Sequence, residues 1–498
     1  MTTVDTEYGK VRGTRVDGLH LFRDIPYAAP PFGALRFRPP RPPQPWTGVR
    51  DATQPGPGAP QPADESALGT IYNPAVTGED CLTLEIWTPD PGGAGLPVLV
   101  HIHGGGYMYG TGSAPLYSGR SFARDGVVHV GINYRLGIEG FLYLGEGTDN
   151  LGLRDQTAAL AWVGRNIAAF GGDPERVTLI GLSGGGVSVF NHLAMPDSRG
   201  LFAGAIAQSA SPAASVDTAE ALRFTRQVAR SLRVEPTVEA MAQVPIARTV
   251  AATRAAAKRF ALGLLRFDRR PLMLSPFRTV HDTDTVPVSA LDGIARGAHR
   301  SQVPLLTGTV ANEVAGFLEA VDALRPLRPL IHRGIRHGLR LDRSLIQGYR
   351  DGPRHLRDTS AMLEAAWSDW LFRVPTIRFA ESRDAPTWLY EFRWQAETRA
   401  PRRGAVHGLD AAFVWDNLDV VGAVGDEGIQ QVGTNPPQEL ADLMHAAWVR
   451  FAHTGTPGWP RYTEPDRPTM VFDTVSGVES DPAGPERRLW EGRVLRSE

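Results

Sequence analysis

The stretch FGGDPERVTLIGLSGGG, Phe170 to Gly186, sets one serine, Ser183, among four glycines within six residues. Glycine-rich stretches of this length serve several chemistries. A Walker-type phosphate loop needs G-x-x-x-x-G-K-[ST]; no lysine follows here, and Lys10 and Lys258 are the only lysines in the chain. A dinucleotide fingerprint needs G-x-G-x-x-G, which neither Gly181–Gly186 nor Gly104–Gly106 provides. G-x-S-x-G does fit, as Gly181, Leu182, Ser183, Gly184 and Gly185, directly after an apolar β-branched run. A strand that turns sharply into a helix holds such a serine in strained backbone angles, and only small residues fit two places before and after it.

A serine hydroxyl attacks a carbonyl only if a base takes its proton, and the resulting oxyanion needs donors already in place. The second need is met by HGGG, His103 to Gly106, which also follows an apolar run. The main-chain N–H groups of Gly105, Gly106 and Gly184 are therefore expected to form a three-donor oxyanion hole, each worth roughly 3 kcal/mol in the transition state. Tyr107, next to this cradle, and Leu182, inside the serine motif, are expected to line the substrate pocket, with Phe277 near the acyl side. His101 and His103 read as strand-end and supporting residues, and no H-E-x-x-H or similar metal pattern occurs. The chemistry requires neither cofactor nor metal.

These residues must be held by a scaffold, and the chain supplies a regular one. LPVLVHI (Leu96 to Ile102) runs into HGGG, VVHVGI (Val127 to Ile132) into NYR, VTLI (Val177 to Ile180) into GLSGG, and VPLL (Val303 to Leu306) into TGTVANE. Short runs, apolar throughout and rich in β-branched residues, are strands covered on both faces, as in a parallel sheet. Helical patterns such as LRDQTAALAWVGRNIAAF (Leu153 to Phe170) lie between them, which makes the class α/β with an open, mostly parallel sheet. Working residues then gather beyond the carboxyl ends of the strands, where each polar motif falls.

The first 62 residues are proline-rich and read as extended chain wrapped over the body, anchored by Phe22, Ile25, Tyr27, Leu35, Phe37 and Trp46. Segments 218–270 and 324–350 fit the sheet pattern poorly and read as helical insertions. The second carries Arg325, Arg328, Arg333, Arg336, Arg340 and Arg343, taken as a solvated helix face. Residues 1–498 are otherwise expected to form one domain. With 52 basic against 54 acidic residues, the net charge of -2 gives no electrostatic reason for nucleic acid or an anionic membrane as partner. The single cysteine, Cys81, allows no intrachain disulfide. The N-terminus lacks the cationic and apolar regions of a secretory signal, and no apolar run is long enough to span a membrane. A cytoplasmic monomer acting on a small-molecule ester is the expectation.

The chain resembles the type-B carboxylesterases, a family that includes the cholinesterases, and within it the bacterial para-nitrobenzyl esterase-like branch. The resemblance runs from VDTEYGKVRG through FRDIPYAAPPFGALRF, EDCLTLEIWTP, HGGGY, NYRLGIEGFL, the FGGDP to GLSGG block and IAQSASP to SDWLFRVP and WVRFAHTGTPGWPRY. It implies an α/β-hydrolase fold with cap-like helical insertions. It also implies a serine esterase whose nucleophile is Ser183, whose acid is Glu313 of GTVANE, and whose base is His407 of GAVHGLD. The order Ser, Glu, His along the chain is that of an α/β-hydrolase.

Three departures from the family shape the expectation. Leu182 stands where the family usually has Glu, Val314 follows the acid where Gly is common, and Ala59 replaces the cysteine that would pair with Cys81. The loop from Ala59 to Cys81 also lacks a tryptophan that could hold a quaternary ammonium. Neutral short-chain or aryl esters are therefore expected over choline esters. An acyltransferase using the same serine, and a non-catalytic binding scaffold, are the alternative readings.

Overall fold

A computed structural model of the chain describes residues 1–64, 66, 69–295, 302–322, 324, 326–397, 404–493 and 495. Its centre is a 13-stranded sheet built from β1 (Thr2–Thr6), β2 (Gly9–Val16), β3 (Leu19–Pro26), β4 (Val49–Asp51), β5 (Thr83–Thr88), β6 (Leu96–Ile102), β7 (Val128–Ile132), β8 (Gly172–Leu182), β9 (Gly204–Gln208), β12 (Leu305–Val310), β13 (Thr387–Phe392), β14 (Pro468–Phe472) and β15 (Gly477–Ser480). Two short strands, β10 (Ser215–Val216) and β11 (Thr279–Val280), pair apart from it. The spatial order is β1-β2-β3-β5-β7-β6-β8-β9-β12-β13-β14-β15, with β4 on β2. From β7 to β14 every neighbouring pair is parallel, while β1 to β7 and β14 with β15 meet antiparallel.

The four apolar runs become β6, β7, β8 and β12, and their side chains are buried on both faces. The last differs from expectation. Its strand starts at Leu305, two residues late, and extends through TGTV to Val310, because Thr307 Oγ1 satisfies itself on the Ala207 carbonyl inside the sheet. The helical pattern from Leu153 becomes the helix Leu151–Asn166 closed by a 3-10 turn, Ile167–Phe170.

The proline-rich head is extended, but as a wing of the main sheet, β1–β3 antiparallel with β4 added parallel to β2, rather than as chain laid over the body. Phe22, Ile25, Tyr27 and Phe37 are buried in the main core; Leu35 and Trp46 are half-buried. Arg36 ties the head down through a buried pair with Glu139, 2.6 Å apart.

Segment 218–270 folds chiefly into the helices Thr218–Leu232, Val238–Ala242 and Ile246–Ala261, and segment 324–350 into Arg328–Gly338 and most of Arg343–Asp351. Leu264 and Leu272, at the end of the first and just beyond it, share one apolar cluster with Ile331, Ile335 and Leu339 of the second and with Phe372. Arg328, Arg333, Arg336, Arg340 and Arg343 are exposed; Arg325 lies outside the described residues. Among the described residues, no helix is long and apolar enough to cross a membrane.

Candidate active site

Ser183 is the residue between β8 and the helix Gly184–Ala194, with φ 56° and ψ −121°. A non-glycine residue held there stores strain that the surrounding packing must outweigh. The packing is tight for a visible reason. A Cβ added to Gly181 would lie 2.2 Å from the Gly185 oxygen, and one added to Gly185 would lie 2.0 Å from the Ile102 oxygen of β6. Strand, turn and helix thus touch backbone to backbone, so the spacing Gly-x-Ser-x-Gly is a steric requirement. The Ser183 amide donates to the Gln208 carbonyl at the end of β9, 2.9 Å away, which fixes the turn to the next strand.

The HGGG segment leaves β6 in front of this turn. Gly105, Gly106 and Tyr107 have φ of 100°, 59° and 62°. Carbonyls of the segment are claimed by other groups: Tyr134 Oη donates to His103 O at 2.8 Å, Ser275 Oγ to Gly106 O at 2.7 Å, and the amides of Met108 and Tyr109 to Gly105 O. Among the described residues, the amides of Gly105, Gly106 and Gly184 donate to nothing. Gly184 sits against this row, since a Cβ on it would lie 3.3 Å from Gly106 N. Gly105, Gly106 and Gly184 all line one cavity with Ser183. Gln61 steadies the far end of the segment: its side chain is bonded twice to the Gly110 backbone, at 2.8 and 3.0 Å.

Glu313 lies three residues beyond β12 and is fully buried. Its Oε2 is 2.6 Å from His407 Nδ1, and its Oε1 accepts the Val310 amide at 3.0 Å. The loops carrying Glu313 and His407 are stitched together by the Asn312 amide on the Ala405 carbonyl, 3.0 Å. Val314, where glycine is common in the family, packs in the apolar cluster of Phe372 and gives its amide to Ser368 Oγ at 3.2 Å. Burial pushes the His407 imidazole down, but the hydrogen bond and charge of Glu313, with the charge of Asp410, outweigh it and the net shift is upward. His407 and Ser183 line one cavity of about 440 Å³. Among the described residues Ser183 Oγ has no hydrogen-bond partner.

Tyr107, Leu182 and Phe277 all border this cavity. Tyr107 stacks on Phe141 with centroids 4.0 Å apart and bonds Ser188 through its hydroxyl; Phe277 meets Phe224 edge-on at 5.3 Å. The sequence reading missed Phe372, whose ring lies 5.2 Å from the His407 ring. Phe372 and Leu371 reach the cavity from a π-helical segment, Asp369–Arg373, of a kind often found at working sites. It sits inside SDWLFRVP, but nothing in that spelling announces a π turn. Met108 and Val187 add to the apolar part of a lining that also includes Asp64 and Arg278. His101 is buried between Tyr117 and Trp415, and burial lowers its basicity; His103 stacks on Tyr134 and is pushed down to about 4 by burial. Cys81 is buried and unpaired, and Ala59 is buried in the same core.

A parallel sheet with a strained serine at one strand end and an acid-histidine pair beyond the next strands defines an α/β-hydrolase. The carboxylesterase family's sequence profile matches residues 1–481, and the chain belongs to that family. It is 37% identical to a para-nitrobenzyl esterase of Bacillus subtilis, with 97% of each chain covered, and 34% identical to a phenmedipham hydrolase of Pseudarthrobacter oxydans, again with 97% of each covered. Among solved structures it is similar to a carboxylesterase of Geobacillus stearothermophilus, at TM-score 0.84 and 32% identity over 99% of this chain and all of the other. It is also similar to a para-nitrobenzyl esterase at TM-score 0.79 and 34% identity, over 98% and 99%. The protein is a carboxylic ester hydrolase.

Proposed function

We propose that Ser183, His407 and Glu313 carry out ester hydrolysis through an acyl-enzyme. His407 takes the Ser183 proton as Oγ attacks the carbonyl, and Glu313 orients the ring and stabilises the imidazolium. The amides of Gly105, Gly106 and Gly184 hold the oxyanion. His407 then protonates the departing alcohol and later activates the water that releases the acid. The observation that carries this reading is the 2.6 Å bond from His407 Nδ1 to Glu313 in the cavity that Ser183 also lines.

The substrates are neutral, short-chain or aryl esters. Leu182, Phe277, Phe317 and Phe372 give the cavity an apolar wall without an anionic group next to the serine, and a relative named para-nitrobenzyl esterase fits an aromatic alcohol portion. Residues 1–498 work as one unit in which the helices of 218–270 and 324–350 cover the site. The protein acts as a monomer in the cytoplasm; the buried, unpaired Cys81 suits a reducing compartment. The test is a series of p-nitrophenyl esters of increasing acyl length alongside choline esters. We expect kcat/KM to be highest for the short acyl groups and negligible for choline esters; a preference for choline esters or for long acyl chains would overturn the substrate assignment.

A further inference from the structure

The helix Leu409–Val414 begins two residues after His407, and its second residue is Asp410, fully buried. Burial is costly for a carboxyl group, so this one must be held by specific partners. Two donors converge on a single oxygen: Tyr390 Oη at 2.8 Å and Gln208 Nε2 at 3.1 Å both reach Oδ2. Gln208 is also the residue whose carbonyl receives the Ser183 amide. One residue at the end of β9 therefore grips the serine turn with its backbone and the histidine loop with its side chain. Among the described residues, Asp410 Oδ1 has no hydrogen-bond partner and no cation forms a salt bridge with Asp410.

The groups around Asp410 leave it one charged neighbour that gains from its negative charge. Glu313, from the loop after β12, repels it, and His407 attracts it. Tyr390 of β13, with Tyr72 and Tyr117, are the remaining titratable groups that sense it, all with hydroxyls pushed up by burial and neutral near pH 7. His445, on the packed helix Gln438–Thr454, turns instead to the Val414 carbonyl and Asp125. On the other side of the histidine loop lies Leu182, 3.7 Å from where a Cβ on Gly408 would sit, so no acid faces it from there.

We propose that Asp410 is a positioning residue, which clamps the His407 loop to the Ser183 turn through Gln208 and supplies a second negative charge behind the imidazole. This rests on the assignment of Ser183, His407 and Glu313 given above. Burial pushes the Asp410 carboxyl up to about 6, so its ionisation falls within the range where the esterase base must become neutral. Near pH 7 the carboxylate then makes His407 a stronger base than Glu313 alone would.

The test compares pH profiles of kcat/KM for p-nitrophenyl acetate between the wild type, Asp410→Asn and Asp410→Glu. Asn keeps an oxygen for Tyr390 and Gln208 and removes the charge. The acid limb of Asp410→Asn should move to lower pH by roughly half a unit or more, with kcat reduced several-fold and KM little changed. Asp410→Glu should return the limb toward its wild-type position. Identical acid limbs in wild type and a folded Asp410→Asn would overturn the proposal. The wild type alone gives a second readout that no folding defect can obscure. Its downfield Nδ1 proton should titrate in two steps, one for the imidazole and one for the neighbouring carboxyl; a single step would overturn the proposal equally. Loss of wild-type turnover itself would count against the triad, whereas an active wild type with unshifted variants counts only against Asp410.

Discussion

Replacing Glu313 by Gln removes one charge and almost no volume, and the structure dictates the outcome. Two N–H groups use this carboxylate: Val310 N on Oε1 at 3.0 Å and His407 Nδ1 on Oε2 at 2.6 Å. An amide has one acceptor oxygen. If that oxygen stays on Val310, the NH2 faces Nδ1 and forces the tautomer with its proton on Nε2, which cannot receive the Ser183 proton; such a reversal costs ~10⁴ in turnover, or ~5.5 kcal/mol. If the oxygen turns to Nδ1, a buried Val310 amide loses its acceptor at about 1–3 kcal/mol of stability. The imidazolium then loses a charge-assisted bond worth ~1.5–3 kcal/mol in the transition state, or about 10- to 150-fold. The expected loss in kcat therefore lies between ~10 and ~10⁴, toward the upper end if the Val310 bond prevails. The assay is steady-state hydrolysis of p-nitrophenyl acetate from pH 5 to 9, with a thermal melt as the folding control. In the wild type the base must be neutral, so activity should rise with pH through a midpoint above the ordinary histidine value of about 6.5, because Glu313 and Asp410 outweigh burial. In Glu313→Gln that midpoint should fall. A folded variant with undiminished turnover and the same acid limb would mean that Glu313 does not act on His407 during turnover.

Three further outcomes follow from the same geometry. Gly105→Ala places a Cβ 2.2 Å from the Tyr109 oxygen at a φ of 100°, so kcat should fall ~10²–10³ as the oxyanion donor is displaced; a urea melt separates this from unfolding. Phe277→Ala empties a buried ring site beside the cavity, which should cost ~3–5 kcal/mol of stability and move the preferred p-nitrophenyl ester to a longer acyl chain. Burial pushes the Cys81 thiol far above its ordinary range, so a disulfide exchange reagent such as DTNB should not react until denaturant is added; rapid reaction in the native state would contradict the packing.

The parts of this fold that the sequence spelled out are those with local physical causes. β6 was legible to the residue because a doubly covered strand is apolar throughout and stops where the glycines begin. The serine turn was legible because close backbone contact admits only glycine at positions 181 and 185. What escaped depended on distant pairing. Nothing in the proline-rich head reveals that it would extend the sheet through β3 against β5. Nor does any motif near position 208 or 390 reveal that Gln208 and Tyr390 meet on Asp410. Glu313 and His407 were reached through resemblance alone, since a lone Glu in GTVANE and a lone His in GAVHG carry no local signal of their pairing.

The proposed mechanism stands on the hydroxyl at the strained turn being the nucleophile. It is tested most directly by treating the protein with a fluorophosphonate and mapping the adduct by mass spectrometry of its peptides. One adduct is expected, on Ser183, with neither labelling nor ester turnover in Ser183→Ala. An adduct on another residue, or labelling that persists in that variant, would contradict it.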